Sequence, residues 1–474
     1  MIVSEIYSTL LKTFPLKPKN KQIEWFRLIS TFLAKPTIED LFLLKGYAGT
    51  GKSTLIGHLV KQLHKFNFKS VLMAPTGRAA KVISNYSNRN AYTIHKQIYY
   101  PKTEKGPGVK FILKSNKYKN TLFIVDEASM ISDNKDQSKF FENGSVLNDL
   151  IQYVSSGEDC YLVLVGDSAQ LPPVGLDISP ALSQKELEKN YNKRVNCLTL
   201  TEVVRQLSNS GILFNATSLR EFIFQEVYNK FRFKLKDFID IHRIQDGEEL
   251  LHTLGNSLNE YGIDQVVFIV RSNKRANLYN QNIRKRILSL ESSLSVGDQL
   301  MVVKNNYFWV KPKSQAGFIA NGDIVVVESI NNLKELYGFK FAEITVRLID
   351  YPGMSSFETV ILTDTLVSNS PSLTYEENQL LYTSVQEDYK NEKSSFKKFL
   401  KVKKNSYFNA LQVKYSYSIT CHKSQGGQWD RVFIEYPYLP EGPNKDFLRW
   451  LYTAITRAKK ELFLVGFPNE YFNT

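Results

Sequence analysis

The run Gly46-Tyr47-Ala48-Gly49-Thr50-Gly51-Lys52-Ser53 sets glycines, a lysine and a hydroxyl at the spacing of a phosphate-binding loop. Glycines let backbone N–H groups close around phosphate oxygens at the positive end of a helix dipole. In such a loop Lys52 reaches the β- and γ-phosphates and Ser53 holds Mg²⁺. Downstream, Phe123-Ile124-Val125-Asp126-Glu127 is an apolar run ending in two acids. Beside a phosphate loop, that pattern fits Asp126 on the metal, directly or through water, and Glu127 as the base that activates the attacking water. Leu164-Val165-Gly166-Asp167-Ser168-Ala169-Gln170-Leu171-Pro172-Pro173-Val174 repeats the layout, with Gln170 suited to a γ-phosphate or the attacking water and two prolines stiffening the loop. Arg205 and Arg457 are of the type that stabilises charge on a γ-phosphate from a second domain. On spacing alone, an ordinary surface ion pair is the plainer reading of either arginine.

These residues need elements to place them. Leu41–Leu44 predicts a strand before the loop and Ser53–His64 a helix after it. Apolar β-rich runs recur at Ser70–Ala74, Leu122–Val125 and Tyr161–Val165, each ending in a polar segment, as in a parallel α/β sheet whose ligand groups gather at the strands' carboxyl ends. Pro101–Asn120, rich in lysine and glycine, predicts a basic hairpin inserted between two sheet units. Residues 205–260 look helical, and Val266–Val270 is a strand followed by a helix to Leu288. Met301–Val303, Ile324–Val327, Ile344–Leu348 and Thr359–Leu362 read as strands, so 313–410 is expected to be a small β-rich unit with a charged helical tail, Tyr375–Lys404. The α/β pattern returns with strands at Arg431–Glu435 and Leu462–Val465. The β module therefore interrupts a second α/β domain.

A chain of 474 residues has room for about three domains, and 43% hydrophobic content is ample for cores. With 61 basic against 47 acidic residues the net charge is +14, which favours a polyanionic partner, most simply nucleic acid. Met1–Leu16 has no secretory pattern, and no apolar run approaches the ~20 residues of a membrane span. Cys160, Cys197 and Cys421 are scattered and form neither a disulfide framework nor a zinc site. The expected setting is reducing and intracellular, cytoplasmic or associated with DNA, with no membrane partner.

Taken in order, the motifs resemble those of a superfamily 1 helicase. Gly46–Thr54 is similar to motif I, Ala74–Ala80 to Ia, Thr93–His95 to Ib, Asp126–Ser129 to II, Gly166–Val174 to III, Leu200–Gln206 to IV, Ser418–Gly427 to V and Tyr452–Ala458 to VI. The Gly-Asp-x-x-Gln-Leu-Pro-Pro-Val and His-Lys-Ser-Gln-Gly forms resemble the RecD/Dda branch, subclass 1B. The resemblance implies an α/β fold of two RecA-like parallel-sheet domains: 1A over 1–204, with a 1B pin hairpin at about 97–121, and 2A over 205–312 and 411–474. It also implies an SH3-like 2B module over 313–410. It implies ATP bound by Gln22, which would read adenine, by Gly46, Ala48, Gly49, Thr50, Gly51, Lys52, Ser53 and Thr54, and by Gln425 and Gly426 from the other side. Mg²⁺ would rest on Ser53 and Asp126. The catalytic set would be Lys52, Glu127, Gln170, Arg205 and Arg457, the two arginines now matching the family's γ-phosphate pair. Single-stranded DNA would lie on Pro75, Thr76, His95, Thr420, His422 and Ser424, while Tyr99 and Tyr100 are open to base stacking or to core packing. The implied activity is ATP-driven 5′→3′ movement on single-stranded DNA with unwinding at single-strand/duplex junctions, by a monomer with or without a repair or replication partner. A translocase that does not unwind, an ATP-gated subunit of a nuclease complex, and an RNA substrate are the alternatives.

Overall fold

The computed structural model describes residues 2–103, 109–133, 144–204, 210–311, 314–351 and 353–472. Its first strands are β1 (Asp40–Gly46), β2 (Lys69–Ala74), β3 (Ala91–Thr93), β4 (Tyr99–Thr103), β5 (Val109–Leu113), β6 (Lys119–Val125), β7 (Glu158–Gly166) and β8 (Arg194–Leu200). Six of them form one parallel sheet in the order β3-β2-β6-β7-β1-β8. Leu41–Leu44 are all fully buried because both faces are covered, which is why the run is continuously apolar. Strand alternation sends Phe42, Leu44 and Val163 to one layer, with Trp25 and Leu55 of the helices Asn20–Ala34 and Lys52–Gln62. It sends Leu41, Leu43 and Leu164 to the other, with Leu147 and Leu150 of the helix Val146–Ser155. The chain leaves β1 for β2, three places away in the sheet, so the phosphate loop opens at a topological switch point. β4 and β5 pair separately as an antiparallel hairpin.

The chain continues through β9 (Ile241–Ile244), β10 (Val266–Val270), β11 (Gln299–Val302), β12 (Ile324–Leu336), β13 (Phe339–Leu348), β14 (Phe357–Leu362), β15 (Leu411–Tyr415), β16 (Ser418–Thr420), β17 (Trp429–Glu435) and β18 (Ala458–Val465). A second parallel sheet runs β16-β10-β17-β18-β9, and β11 to β15 close into a barrel. The edge strand β9 and the non-helical stretch before it differ from the helical expectation for 205–260. Only Ile241 and Ile244 of its four residues are buried, too short an apolar signal to read. The barrel runs from Gln299 to Tyr415, so strands on both sides of 313–410 complete it. Its longest hairpin turns at Tyr337-Gly338, both with positive φ, the geometry that matches strand twist. Leu300, Val325 and Val413 of the barrel share a core with Phe268 and Phe433 of the second sheet. The helices Tyr375–Glu387 and Ser395–Lys403 seal the barrel's outer side through Val385 and Val402 against Phe341 and Leu362. Tyr47, Ala169 and Leu171 of the first domain join Trp429, Tyr452 and Ile455 of the second in one apolar cluster. Among the described residues no helix is long and apolar enough to cross a membrane.

Candidate active site and nucleic-acid channel

β1 delivers the phosphate loop, and Gly49 and Gly51 take φ values of +75° and +85° that let it fold back on itself. A side chain at Gly51 would meet Gln22 Nε2 at 2.7 Å, so glycine is needed there for space as well. Gln22 is buried; its amide N–H donates to Thr50 O at 3.3 Å and its Oε1 accepts from Lys19 N at 3.1 Å. Lys52 Nζ bridges the loop carbonyls of Gly46 at 2.5 Å and Tyr47 at 3.1 Å. Ser53 and Thr54 open the following helix and are exposed. Val204 N donates to Gly49 O at 2.9 Å, tying the segment after β8 to the loop; Arg205, the next residue, lies outside the described residues.

The two acids at the end of β6 have separate surroundings. Asp126 Oδ2 accepts from Tyr86 OH at 2.7 Å and Oδ1 from Glu127 N at 2.8 Å. Glu127 takes φ +53°, an uncommon conformation for a non-glycine residue and one found at functional turns. Burial pushes the Glu127 carboxyl up, Arg457 pulls it down, and Asp126 pushes it up again. Arg457 comes from the second domain and is buried: Nε donates to Thr453 O at 2.9 Å and Nη1 to Gly427 O at 3.2 Å. Gln170 is buried, and its Oε1 has no hydrogen-bond partner among the described residues. Ser53 and Asp126 offer one hydroxyl and one carboxylate, hard oxygen donors that suit Mg²⁺ sharing its shell with water and phosphate oxygens.

Tyr452 and Thr453, given no role in the sequence, bind the two domains together, with Gln425 and Gly426, expected at the nucleotide, beside them. Tyr452, 1% exposed on the helix Lys445–Ile455, donates its hydroxyl to Asp167 Oδ2 at 2.8 Å and accepts from the loop amide Ala48 N at 3.0 Å. Its neighbour Thr453 accepts from Leu171 N at 2.9 Å, and Gln425 Nε2 donates to Leu171 O at 2.9 Å. Arg78 stacks on Trp429 at 4.0 Å across the same face. Gly426, with φ +74°, lies so close to the first domain that a Cβ would stand 2.7 Å from Ala79 Cβ and 3.2 Å from Thr76 Oγ1. Gly426 therefore packs on motif Ia, and Gln425 lines the channel described next.

A cavity of about 740 Å³ passes between the two α/β domains, the barrel and the hairpin. Pro75, Thr76 and His95 line it from the first domain, Phe111 from the hairpin, Lys304, Tyr307 and Asn321 from the barrel, and His422 and Lys423 from the second domain. Thr76 Oγ1 also caps the helix Gly77–Ser87 by accepting from Ala79 N at 3.2 Å. Burial drops the His95 imidazole to about 4, so it is neutral at pH 7, and it packs edge-on to Phe111 at 5.3 Å. Burial lowers the Lys423 ammonium to about 8, and among the described residues no acid pairs with it. Such a cation is best compensated by an anion from outside. Thr420 and Ser424 do not line the cavity; Ser424 is fully buried and its hydroxyl turns inward to Cys421 O at 2.7 Å. Tyr99 is core, while Tyr100 is exposed beneath the Lys114 ammonium at 5.1 Å.

The barrel is held over the channel by the first domain. Lys81 pairs with Asp350 at 3.0 Å, and Lys96 Nζ donates to Gln315 O at 2.9 Å and Ala316 O at 2.8 Å. Asp323 accepts from Ala320 N at 2.7 Å through Oδ2 and sets Oδ1 against Gly77, where any Cβ would collide with it. Burial raises the Asp323 carboxyl to about 8.

Fold and site together define a two-domain phosphate-loop ATPase with a channel lined by both of its α/β domains. A model described as an AAA domain matches residues 33–176, and one described as a UvrD-like helicase C-terminal domain matches 415–465. The chain is 25% identical to the ATP-dependent DNA helicase dda of Enterobacteria phage T4, over 89% of this chain and 93% of that protein. It is 31% identical to the ATP-dependent RecD2 DNA helicase of Deinococcus radiodurans, over 38% of this chain and 21% of that protein. A Bacteroides Pif1 helicase solved with ADP-AlF3 and ssDNA aligns over 97% of this chain and 95% of its own at 15% identity, with a TM-score of 0.48. The two domain models and the likeness to dda and RecD2 together support a superfamily 1B helicase of the RecD/Dda-like kind.

Proposed function

We propose that the protein hydrolyses ATP to move along single-stranded DNA, 5′→3′, and separates the duplex ahead of it. One observation carries this reading: Arg457 of the second domain comes close enough to Glu127 of the first to pull its carboxyl down, and residues of both domains line one channel. The phosphate loop and Lys52 bind the triphosphate, and Glu127, its carboxyl raised by burial, takes a proton from the attacking water. Arg457 stabilises the charge that grows on the γ-phosphate, with Arg205 as its expected companion. Ser53 and Asp126 would hold Mg²⁺, which supplies charge neutralisation on the phosphates when bound. Because the arginine and the acid sit on different domains, a bound triphosphate favours the closed arrangement and its loss releases it. Nucleic-acid contacts on the two domains then alternate in grip. On this reading the first α/β domain is 1A, the second 2A, the β4–β5 hairpin the pin and the barrel 2B.

The test is unwinding of a duplex carrying a 5′ or a 3′ single-stranded tail, with Lys52→Ala as control. Separation of the 5′-tailed duplex alone, abolished in the variant, is the expected result. Separation from a 3′ tail overturns the direction, and DNA-stimulated hydrolysis with no separation favours a translocase or a partner-dependent subunit. An unchanged hydrolysis rate in Lys52→Ala overturns the site itself.

A further inference from the structure

The helical arm inserted between β14 and β15 has no part in the nucleotide cleft, yet it stands at one mouth of the channel. Tyr375, its first helical residue, and Asn378, one turn on, both line the cavity. Asn378 Oδ1 accepts from Lys304 Nζ at 2.9 Å, so arm and barrel meet at that mouth through a polar contact. The second arm helix, Ser395–Lys403, brings its last turn beside the cavity-lining Lys304. Between Tyr389 and Lys404 the sequence carries seven lysines against one glutamate, and that glutamate, Glu392, is occupied by Lys401 at 3.0 Å.

Two features separate this helix from an ordinary solvated one. Val402 faces inward and is fully buried, which fixes the orientation of the helix on the barrel. The face carrying Lys403 also carries Phe396, Phe399 and Leu400 at helical spacing, and Phe396 is 65% exposed. Tyr375 at the channel mouth is 74% exposed. Secondly, the Lys403 ammonium sits beside Lys304 and over Phe399 and Phe408, at 5.6 Å and 5.2 Å. Burial and then repulsion from Lys304 lower it to about 8. Two cations converging at the end of a nucleic-acid channel are relieved by a phosphate.

We propose that this arm is an extension of the single-strand binding track, with Tyr375 and Phe396 stacking unpaired bases and Lys304, Lys397, Lys403 and Lys404 meeting the phosphates of strand outside the channel. Exposed aromatic rings interleaved with lysines match single-stranded nucleic acid, whose bases are free to stack; a duplex hides those faces and offers only its phosphates. The inference rests on the channel being the single-strand path.

The experiment compares the whole protein with its Phe396→Ala/Lys397→Ala variant, both positions being exposed. Fluorescence anisotropy with oligothymidylates of about 6 and about 20 nucleotides, at several salt concentrations, gives affinity and salt slope. The expected result is a loss of about 5- to 50-fold for the longer oligomer, a salt slope shallower by about one, and unchanged affinity for the shorter. ATP hydrolysis at saturating long DNA stays at the wild-type rate. Unchanged affinity for the long oligomer overturns the proposal, as does an equal loss for both lengths. Weaker binding of blunt duplex alone overturns it in favour of a duplex-holding arm. Wild-type protein that binds neither oligomer overturns the channel reading and this inference together.

Discussion

Glu127 is the residue whose environment makes the sharpest kinetic statement. Burial raises its carboxyl above the ordinary glutamate value of 4.5, with Arg457 only partly opposing. As the proposed base Glu127 works deprotonated, so hydrolysis is expected to fall as pH drops through the raised value, with the acid limb of kcat above the ordinary glutamate value. A pH–rate profile at saturating ATP and DNA checks this; a limb at the ordinary value removes the buried-base role. Glu127→Gln keeps nucleotide binding and slows hydrolysis by about 100-fold or more. The pair Asp126-Glu127 was legible because an apolar run must end somewhere and two acids there have few structural uses. Which acid is raised was not legible. That depends on Tyr86 donating to Asp126 and on an arginine 330 positions further along arriving beside Glu127.

At the scale of elements, the channel exists because the barrel is fastened to the helix Gly77–Ser87. The Asp323 carboxyl presses on Gly77 at that helix's first turn, leaving no room for a side chain. Gly77→Ala therefore pushes the barrel away, costing about 1–3 kcal/mol of the contact, and single-strand affinity falls. Asp323→Ala in the same chain restores it, because the obstructing oxygen is gone. Anisotropy on the two single variants and the double variant tests the coupling, and purely additive losses count against it. The strands that build this architecture were readable wherever burial on both faces makes an uninterrupted apolar run, as in β1, β6, β7 and β10. β9 escaped because a short edge strand is half polar, and the barrel's first and last strands escaped assignment to it because closure pairs residues 300–302 with 413–415 across more than a hundred positions.

Across the whole molecule, Tyr452 joins three distant segments: its hydroxyl holds the Ala48 amide of the phosphate loop and the Asp167 carboxylate, while its ring belongs to the second domain. Tyr452→Phe leaves a buried carboxylate oxygen and a loop amide short of a partner, a penalty of about 1–3 kcal/mol that falls on the interdomain contact. DNA-stimulated kcat is expected to drop by about tenfold with basal hydrolysis little altered; an equal drop in both indicates a local effect on the loop instead. The sequence by itself made the expected chemistry legible: a phosphate loop and two acids at a strand end are local patterns, set by what phosphate transfer requires of neighbouring residues, while the two arginines took their expected role only from the resemblance. The tertiary structure alone decided how the halves communicate. Tyr452 with Ala48, Arg78 with Trp429 and Asp323 with Gly77 are contacts between residues hundreds of positions apart. It also decided that Thr420 and Ser424 stay out of the channel that His95 and His422 line. No spacing encodes such pairings, because they depend on how two sheets and a barrel pack, and that is settled by the summed burial of their apolar faces.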